Sequence, residues 1–374
     1  MWCLMVRSAS SRVSNHEPMR FSPFETPRKG AAPQDEVCVC SRHAALEMVM
    51  RRSIWTALIA MLAFGGSAFA ETFPSHPITI VVPFSAGGPS DAIARILAER
   101  MKVTLGEALV IENVTGAGGS IGVGRAVRSP PDGYTVSFGH LGTHVANGAI
   151  YKLGYDLVTD LEPVVLLPSN PMIVVSKNAV PAKSLQELLA WLKARPAPAP
   201  ATAGTAGAGS GSHIAGLYFE NVTGIKLQYV PYRGTAPAMN DLVAGQIDVM
   251  IDQTSNSISQ VRAGTIRAYA ITDDKRVESA SDIPTTDEAG LPGFHMTLWS
   301  GLWVPKDTPK DIVAKLNAAA VDALNDPAVR KQLENLGLQM PPKDQLSPEA
   351  LGSWQKAEIA KWWPMIKAAN VKVD

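Results

Sequence analysis

Residues 78–101, ITIVVPFSAGGPSDAIARILAERM, predict a strand, a glycine-containing turn and an amphipathic helix in one continuous run. Four of the first five residues are apolar and mostly β-branched, and Pro83 ends the strand because it has no N–H to donate. Ser90 is a natural N-cap, and apolar side chains recur at helical spacing from Ile93 to Met101. A helix start presents free N–H groups and partial positive charge, so we expect this turn to hold an anion.

The composition is that of a neutral globular chain. Its 374 residues include 34 Lys and Arg against 34 Asp and Glu, and 46% are hydrophobic. This length suffices for two domains, and the charge balance does not indicate disorder or a nucleic-acid partner. All three cysteines, Cys3, Cys38 and Cys40, come early in the chain. The remaining sequence therefore offers no thiol for catalysis, disulfide formation or metal binding.

An export signal is predicted near the N-terminus. Basic residues at 51–52 precede an apolar run at 54–64, and a small-residue A-x-A cleavage site follows. The apolar run is too short to span a bilayer, which needs about 20 residues. We therefore interpret residues 48–70 as a cleaved signal peptide and residues 1–47 as a non-native or disordered leader. The mature chain is expected to start near Glu71, in the periplasm.

Strand-like and helix-like segments alternate through the mature chain, which predicts an α/β fold. A second strand, glycine turn and helix occupy residues 203–221. Segments 164–175 and 297–305 are interpreted as crossings between two lobes, and Pro168-Ser169-Asn170-Pro171 predicts a break within the first crossing. The predicted division is 71–170 as the first part of lobe 1, 171–297 as lobe 2, and 298–374 as the second part of lobe 1.

The glycine turns do not match the motifs of nucleotide-binding enzymes. No G-x-x-x-x-G-K-[ST] motif is present, which excludes a phosphate loop with its lysine. Gly116-x-Gly118 lacks the third glycine of the dinucleotide fingerprint, because Ile121 occupies that position, so no cofactor is expected. Gly118-Gly119-Ser120-Ile121-Gly122 does match G-x-S-x-G. An exported serine hydrolase using Ser120, with His295 as a candidate base, is therefore the alternative function.

The histidines are not spaced as a metal site. His140 and His144 form an i,i+4 pair, but they lie in a glycine-bearing turn without the Glu of an H-E-x-x-H motif. We interpret them as polar loop histidines and expect no metal. Export, the lack of cysteine and the lack of a catalytic constellation favour a binding protein over an enzyme. Its ligand is expected in a cleft between two lobes that close by hinge motion.

Several motifs also occur together in the order of one family: VVPFSAGGPSDAIAR, GAGGSIG, PDGYTV, GAGSGSHIAG, VPYRGTAPAMNDLVAGQIDVMIDQ and PTTDEAGLPGFHMTLWSGLWVP. Over residues 72–351 the chain resembles the substrate-binding proteins of tripartite tricarboxylate transporters, the Bug/TctC family. The resemblance implies a two-lobed periplasmic-binding-protein type 2 fold, with two mixed sheets flanked by helices and joined by two hinge segments. It also implies capture of a small carboxylate (a di- or tricarboxylate, an acidic amino acid or an aromatic acid). Delivery to a membrane permease of large and small subunits is implied as well, and we expect a monomer.

In that family two facing turns hold the ligand carboxylate largely through backbone amides and small hydroxyls. The matching positions are Phe84, Ser85, Ala86, Gly87, Gly88, Ser90 and Asp91 in the first turn, Gly209, Ser210, Ser212 and His213 in the second, and Gly118, Gly119, Thr143 and Asp252 as supporting residues. Turn geometry for the glycines, and helix capping for Asp91 and His213, remain alternative explanations. Ala208 departs from the family, which usually has a polar residue such as Asn there. The identity of the acid stays open, as does a role as a ligand-sensing subunit of a signalling receptor.

Overall fold

The computed structural model describes residues 50, 72–195 and 199–371, and the chain from Glu71 onward forms one compact unit. Except for Met50, the predicted leader and signal peptide lie outside the described residues. The strands are β1 Ile78–Val82, β2 Leu109–Asn113, β3 Thr135–His140, β4 Leu161–Lys177, β5 Thr202–Thr205, β6 Gln228–Pro231, β7 Val249–Gln253, β8 Ile266–Ile271 and β9 Thr297–Pro305.

Helices separate most of these strands. They are α1 Pro89–Leu105, α2 Ser120–Val127, α3 Asn147–Ile150, α4 Leu185–Lys193, α5 Gly211–Thr223, α6 Thr235–Val243, α7 Thr254–Arg262, α8 Lys310–Asn325, α9 Pro327–Asn335 and α10 Pro348–Ala368. Within the described ranges, none of the helices is both long and apolar enough to cross a membrane.

The strands form one mixed sheet in the order β2-β1-β3-β9-β4-β7-β5-β6, with β8 also paired to β4. Neighbours at the two ends of the sheet, β1 with β2 and β3, and β5 with β6 and β7, run parallel. The central pairs of β9 and β4 with their neighbours run antiparallel. The predicted mixed α/β fold with flanking helices is confirmed, but the prediction of two separate sheets is wrong, because β4 and β9 join the strands into one sheet.

Strand β4 is a single strand of 17 residues, so the predicted break within the first crossing is wrong. The pairing of β4 with β9 runs from Leu161 opposite Pro305 to Pro171 opposite Thr297, with a register shift between Leu167 and Asn170. A local irregularity of this kind accommodates a proline, which cannot donate to the ladder. Ser169 instead exchanges backbone hydrogen bonds with Gln339, N to O at 2.9 and 2.8 Å. The division of the chain into lobes stays a prediction.

Three hydrophobic clusters of the described residues include parts of β4, and the first of them joins β4 to β5 and α5 through Ala203 and Ile214. The other two pack on different stretches of β4. One joins β1 and β3 to helices α1 and α8 through Ile80, Leu97 and Phe138 among others. Another joins the second half of β4 to β7, β8 and α6, and includes Val175 and Met250. Together the three clusters fix the strand ends that carry the polar turns.

Helix α10 is joined to β9 through the buried carboxylate of Glu358. Glu358 Oε2 accepts hydrogen bonds from Trp299 Nε1 and Trp362 Nε1, each at 2.9 Å. We expect Glu358→Ala to lower the free energy of unfolding by about 2–3 kcal/mol, because it leaves two buried indole N–H groups without an acceptor. Urea unfolding measures this change. Glu358→Gln keeps an acceptor oxygen and is the matched control; equal destabilisation by both variants would contradict the argument.

Candidate functional site

The first polar turn follows β1 and is held by Asp91. The Asp91 carboxylate accepts hydrogen bonds from the Gly87 backbone N–H at 2.9 Å, Arg95 Nε at 2.9 Å and Asn113 Nδ2 at 3.1 Å. Burial raises the pKa of Asp91, but the hydrogen bonds from Arg95, Gly87 and Asn113 outweigh burial and hold the pKa below its usual value. Asn113 Nδ2 also donates to Phe84 O at 2.9 Å. Asp91 therefore orders the turn as a negatively charged group.

Helix α1 begins without a side-chain cap, so the prediction that Ser90 is the N-cap is wrong. Gly88 is the N-cap residue and Pro89 takes the first helical position. Proline suits that position because its fixed φ matches the helix and its missing N–H needs no partner there. Ser90 therefore lies inside the first turn of the helix.

The second polar turn follows β5 and is braced by its own helix. Ser210 is the N-cap of α5, and its Oγ accepts from the His213 backbone N–H at 3.4 Å. Ser212 Oγ accepts from the Ala206 backbone N–H at 3.0 Å, and His213 Nδ1 accepts from the Gly209 N–H at 3.2 Å. Helix α5 therefore starts two residues before His213. The His213 ring stabilises the turn by accepting the Gly209 N–H.

The two turns meet at a small cavity, which we call the inner chamber. Its lining residues are Phe84, Gly88, Pro89, Ser90, His140, Ala206, Ser210, Gly211, Ser212, Thr235 and Gln253. The starts of α1 and α5 lie on it, and Thr235, the first residue of α6, brings a third helix start to the same place. The chamber has a volume of about 10 Å³, which fits one water-sized group such as a carboxylate oxygen.

The inner chamber attracts anions without a formal positive charge. None of its lining residues is a lysine or an arginine. Burial lowers the pKa of His140 to about 4, so this imidazole is neutral at pH 7. The Gly142 backbone N–H donates to His140 Nδ1 at 2.9 Å, which places the ring proton on Nε2. The positive potential therefore comes from three helix starts, supplemented by hydroxyl groups.

A larger cavity of about 680 Å³, the outer chamber, shares Phe84 and Ala206 with the inner chamber. Its other lining residues are Ser85, Gly116, Ala117, Gly118, Gly119, Tyr151, Gly207, Ala208, Pro231, Tyr232, Arg233 and Pro237. Arg233 supplies a cation, whereas rings and prolines supply most of the remaining side-chain surface. This chamber has room for the body of a small organic molecule.

Backbone contacts join the walls of the outer chamber. The Ser85 N–H donates to Arg233 O at 3.2 Å, and Tyr151 Oη donates to Ala208 O at 2.8 Å. A Cβ added at Gly118 would lie 2.0 Å from Ala208 O, which shows how closely these two backbones approach. The turns before α2 and α5 are therefore in direct contact.

The predicted site residues fall into three groups. Those lining the inner or outer chamber are Phe84, Ser85, Gly88, Ser90, Gly118, Gly119, Ser210 and Ser212. Ala86 and Gly87 are exposed and line neither chamber. Those buried behind the chambers are Asp91, Thr143, His213 and Asp252, while Gly209 contacts His213 and lines neither chamber.

Asp252 and Thr143 act behind the chambers. Asp252 is fully buried, and its Oδ2 accepts from Asn256 Nδ2 at 2.6 Å and Ser257 Oγ at 2.8 Å. Burial raises the pKa of Asp252 to about 6 despite these hydrogen bonds. Thr143 Oγ1 accepts from the His140 N–H at 3.1 Å and lies 3.0 Å from His144 Nδ1. Neither residue lines a chamber, so a direct ligand contact for them is not favoured.

The interpretation of His140 and His144 as polar loop residues is wrong, because both are buried. His140 ends β3 and stacks on Phe84, with ring centroids 5.0 Å apart. His144 stacks on Trp303 at 3.9 Å, and burial together with His140 lowers its pKa to about 3. Among the described residues, no group of three or more His, Cys, Asp and Glu is placed to hold a metal ion.

The hydrolase alternative gains no support from the surroundings of Ser120. Ser120 begins α2, and its carbonyl oxygen accepts from Tyr155 Oη at 2.9 Å. His295 pairs with Asp287 at 2.8 Å, ahead of β9. Across residues 72–195 and 199–371, no hydrogen bond joins the Ser120 side chain to a histidine.

Sequence reasoning missed several chamber residues: His140, Tyr151, Tyr232, Arg233, Thr235 and Gln253. For Thr235 a signal existed. The turn Tyr232-Arg233-Gly234 follows a strand and precedes a helix, which is the pattern of the first two turns. Gln253 could have been suspected as the polar end of β7, whereas Tyr151 follows a helix of four residues that has no clear sequence pattern.

Comparisons with known proteins agree with this architecture. The sequence profile described as "Tripartite tricarboxylate transporter family receptor" matches residues 93–371. The chain is 38% identical over 300 residues, 80% of its length and 86% of the other, to the "UPF0065 protein in the TAR-I ttuE-ttuC' intergenic region" of Agrobacterium vitis. Two solved structures superpose with a TM-score of 0.76. MatC from Rhodopseudomonas palustris with bound malate is 39% identical, over 79% of this chain and 100% of that one. R. palustris Rpa4515 with adipate is 32% identical, over 80% and 99%.

Proposed function

The chain belongs to the tripartite tricarboxylate transporter receptor family, and from that premise we propose that it is a periplasmic solute-binding protein for a small carboxylate, without catalytic activity. One carboxylate oxygen enters the inner chamber, and the rest of the molecule occupies the outer chamber. A membrane permease of large and small subunits receives the ligand from the monomeric protein. Because MatC and Rpa4515 hold malate and adipate, these two dicarboxylates are the first candidates.

One observation carries this proposal: three helix starts converge on a cavity that has no lysine or arginine in its lining. Free backbone N–H groups and hydroxyls bind an anion while leaving it easy to release, because no formal charge pair has to be broken. Such a site suits a protein that captures a solute and then hands it on.

The same geometry argues against hydrolysis. Acyl transfer needs a nucleophile and a base within hydrogen-bond reach. Among the described residues, no hydrogen bond joins the Ser120 hydroxyl to a histidine, and the His295 ring pairs with Asp287 instead. We therefore propose binding in preference to the Ser120 hydrolase. A fluorophosphonate label that modified Ser120 would reverse this preference.

A thermal-shift series with the mature protein tests the function. We expect malate or adipate, at 100 times its dissociation constant, to raise the free energy of unfolding by about 2.7 kcal/mol. For a chain of this size, that increase raises Tm by several degrees. Malamide and adipamide, which lack the charge, are the matched controls. An equal shift with acid and amide, or no shift with any di- or tricarboxylate, acidic amino acid or aromatic acid, would contradict the proposal.

A ligand-sensing subunit would bind the same acids, so binding alone does not separate it from a transport receptor. Uptake does separate the two roles. Loss of radiolabelled acid uptake in cells that lack this protein supports transport, whereas unchanged uptake with altered gene expression supports sensing.

A further inference from the structure

Gln253 is the polar side chain that β7 contributes to the inner chamber. Its amide has an acceptor end, Oε1, and a donor end, Nε2, and only the donor end attracts a carboxylate. The direction of this amide therefore decides whether Gln253 favours or opposes an anion. Gln253 Oε1 lies 3.2 Å from Asn170 Nδ2, so the direction of Gln253 depends on the direction of Asn170.

A backbone N–H group fixes the direction of Asn170. The Ser255 N–H lies 3.3 Å from Asn170 Oδ1, and a backbone N–H can only donate. Thr254 Oγ1 also donates to this oxygen, at 2.7 Å. The atom of Asn170 that faces these groups must therefore be the acceptor Oδ1.

The other end of Asn170 is consequently its donor. Asn170 Nδ2 lies 2.6 Å from Ser255 Oγ and 3.2 Å from Gln253 Oε1, so its two protons have separate acceptors. The opposite orientation would set an NH₂ group against the Ser255 N–H. Asn170 is fully buried, so water cannot compensate for that mismatch.

The orientation of Asn170 in turn fixes the orientation of the Gln253 amide. Its Oε1 faces Asn170, so its Nε2 lies at the other end of the amide. Nε2 is not one of the buried side-chain nitrogen and oxygen atoms that lack a hydrogen-bond partner. We propose that Asn170 is a positioning residue that directs Gln253 Nε2 into the inner chamber, where Gln253 acts as a specificity-determining donor to the ligand carboxylate. This inference rests on the proposed function.

The substitution Asn170→Asp tests the inference because it replaces the donor end by a second acceptor. The aspartate still accepts from Ser255 and Thr254, but Gln253 must now rotate and donate to it. Gln253 Oε1 then faces the chamber and favours a primary amide over a carboxylate. With adipate and adipamide as probes, we expect the ratio of their affinities to fall roughly 10- to 100-fold in Asn170→Asp, as measured by calorimetry.

The introduced charge needs a matched control. Asn170→Asp also brings a negative charge near the chamber, which weakens adipate binding without any rotation. In a Gln253→Met background that charge is present, but no amide can rotate. We expect the adipate-to-adipamide ratio to change much less there. Equal changes in both backgrounds would show that charge alone acts and would overturn the inference.

A measurement without ligand reads the orientation directly. In ¹⁵N-labelled wild-type protein, we expect the side-chain NH₂ of Asn170 to exchange slowly with water and that of Gln253 to exchange fast. A protected Gln253 NH₂ that donates to Asn170 would overturn the inference whether or not adipate binds. Failure of the wild type to bind any carboxylate would instead count against the proposed function.

Discussion

Replacing Gly118 by alanine is expected to weaken carboxylate binding at least about 100-fold, or about 2.7 kcal/mol, while the protein remains folded. The added Cβ would lie 2.0 Å from Ala208 O and 3.4 Å from Asn147 Oδ1. A backbone carbonyl cannot rotate away as a flexible side chain does, so the turns before α2 and α5 must separate. Separation opens the outer chamber, and the ligand loses one wall. Calorimetry with adipate and malate measures the effect.

Backbone strain is a competing explanation for such a loss, because Gly118 has φ = 57°. An alanine in this region costs about 1–2 kcal/mol. Gly224 has φ = 70° and no atom within 4 Å of an added Cβ, so Gly224→Ala carries the strain without the clash. We expect Gly224→Ala to lower Tm and to keep its affinity. Normal affinity in Gly118→Ala would show that contact between these turns is not needed for binding.

Acid is expected to destabilise the protein steeply below pH 6.5. Burial lowers the pKa of His140 to about 4, that of His144 to about 3 and that of His213 to about 4. The unfolded chain binds protons at these histidines near pH 6.5, whereas the folded chain does not. The stabilisation that comes from keeping these three histidines neutral is therefore fully present above pH 6.5, and it is lost as the pH falls towards 4. Each histidine accounts for about 1.4 kcal/mol per pH unit.

Asp252 acts in the opposite direction. Its folded pKa of about 6 is above the ordinary value of 3.8, so the folded chain binds the extra proton between these values. Three histidines less one carboxyl leave about two protons near pH 5, or about 2.7 kcal/mol per pH unit. Urea unfolding between pH 7.5 and 4.5 measures this slope. His144→Asn should give a shallower slope even if it is less stable, and a flat profile from pH 6.5 to 5 would contradict the argument.

Much of the first unit could be predicted from sequence because its signals are local. Strand β1 and the helix after it appear where β-branched residues, glycines and helical spacing place them. The prediction of a Ser90 cap was wrong because the helix begins earlier, with Gly88 as the N-cap and Pro89 in the first position, and both choices satisfy a helix start locally. The position of the third helix start, at Thr235, depends on strand order, which a single turn does not encode.

Other features depend on distant partners. Pro168 and Pro171 predict a break, but pairing with β9 and with Gln339 holds β4 as one strand. His144 resembles a polar turn residue until Trp303, from a strand more than 150 positions later, covers its ring. The orientation of Gln253 is set by Asn170 in β4. Tertiary contacts of this kind leave no periodic signal in the neighbouring sequence.

The unbroken course of β4 beside β9 has a mechanical consequence. These two strands pair from Leu161 opposite Pro305 to Pro171 opposite Thr297, with register shifts along the way. The turns that form the chambers lie on strands to either side of them. We therefore expect widening of the chambers to twist β4 and β9 together while the hydrogen bonds between them persist.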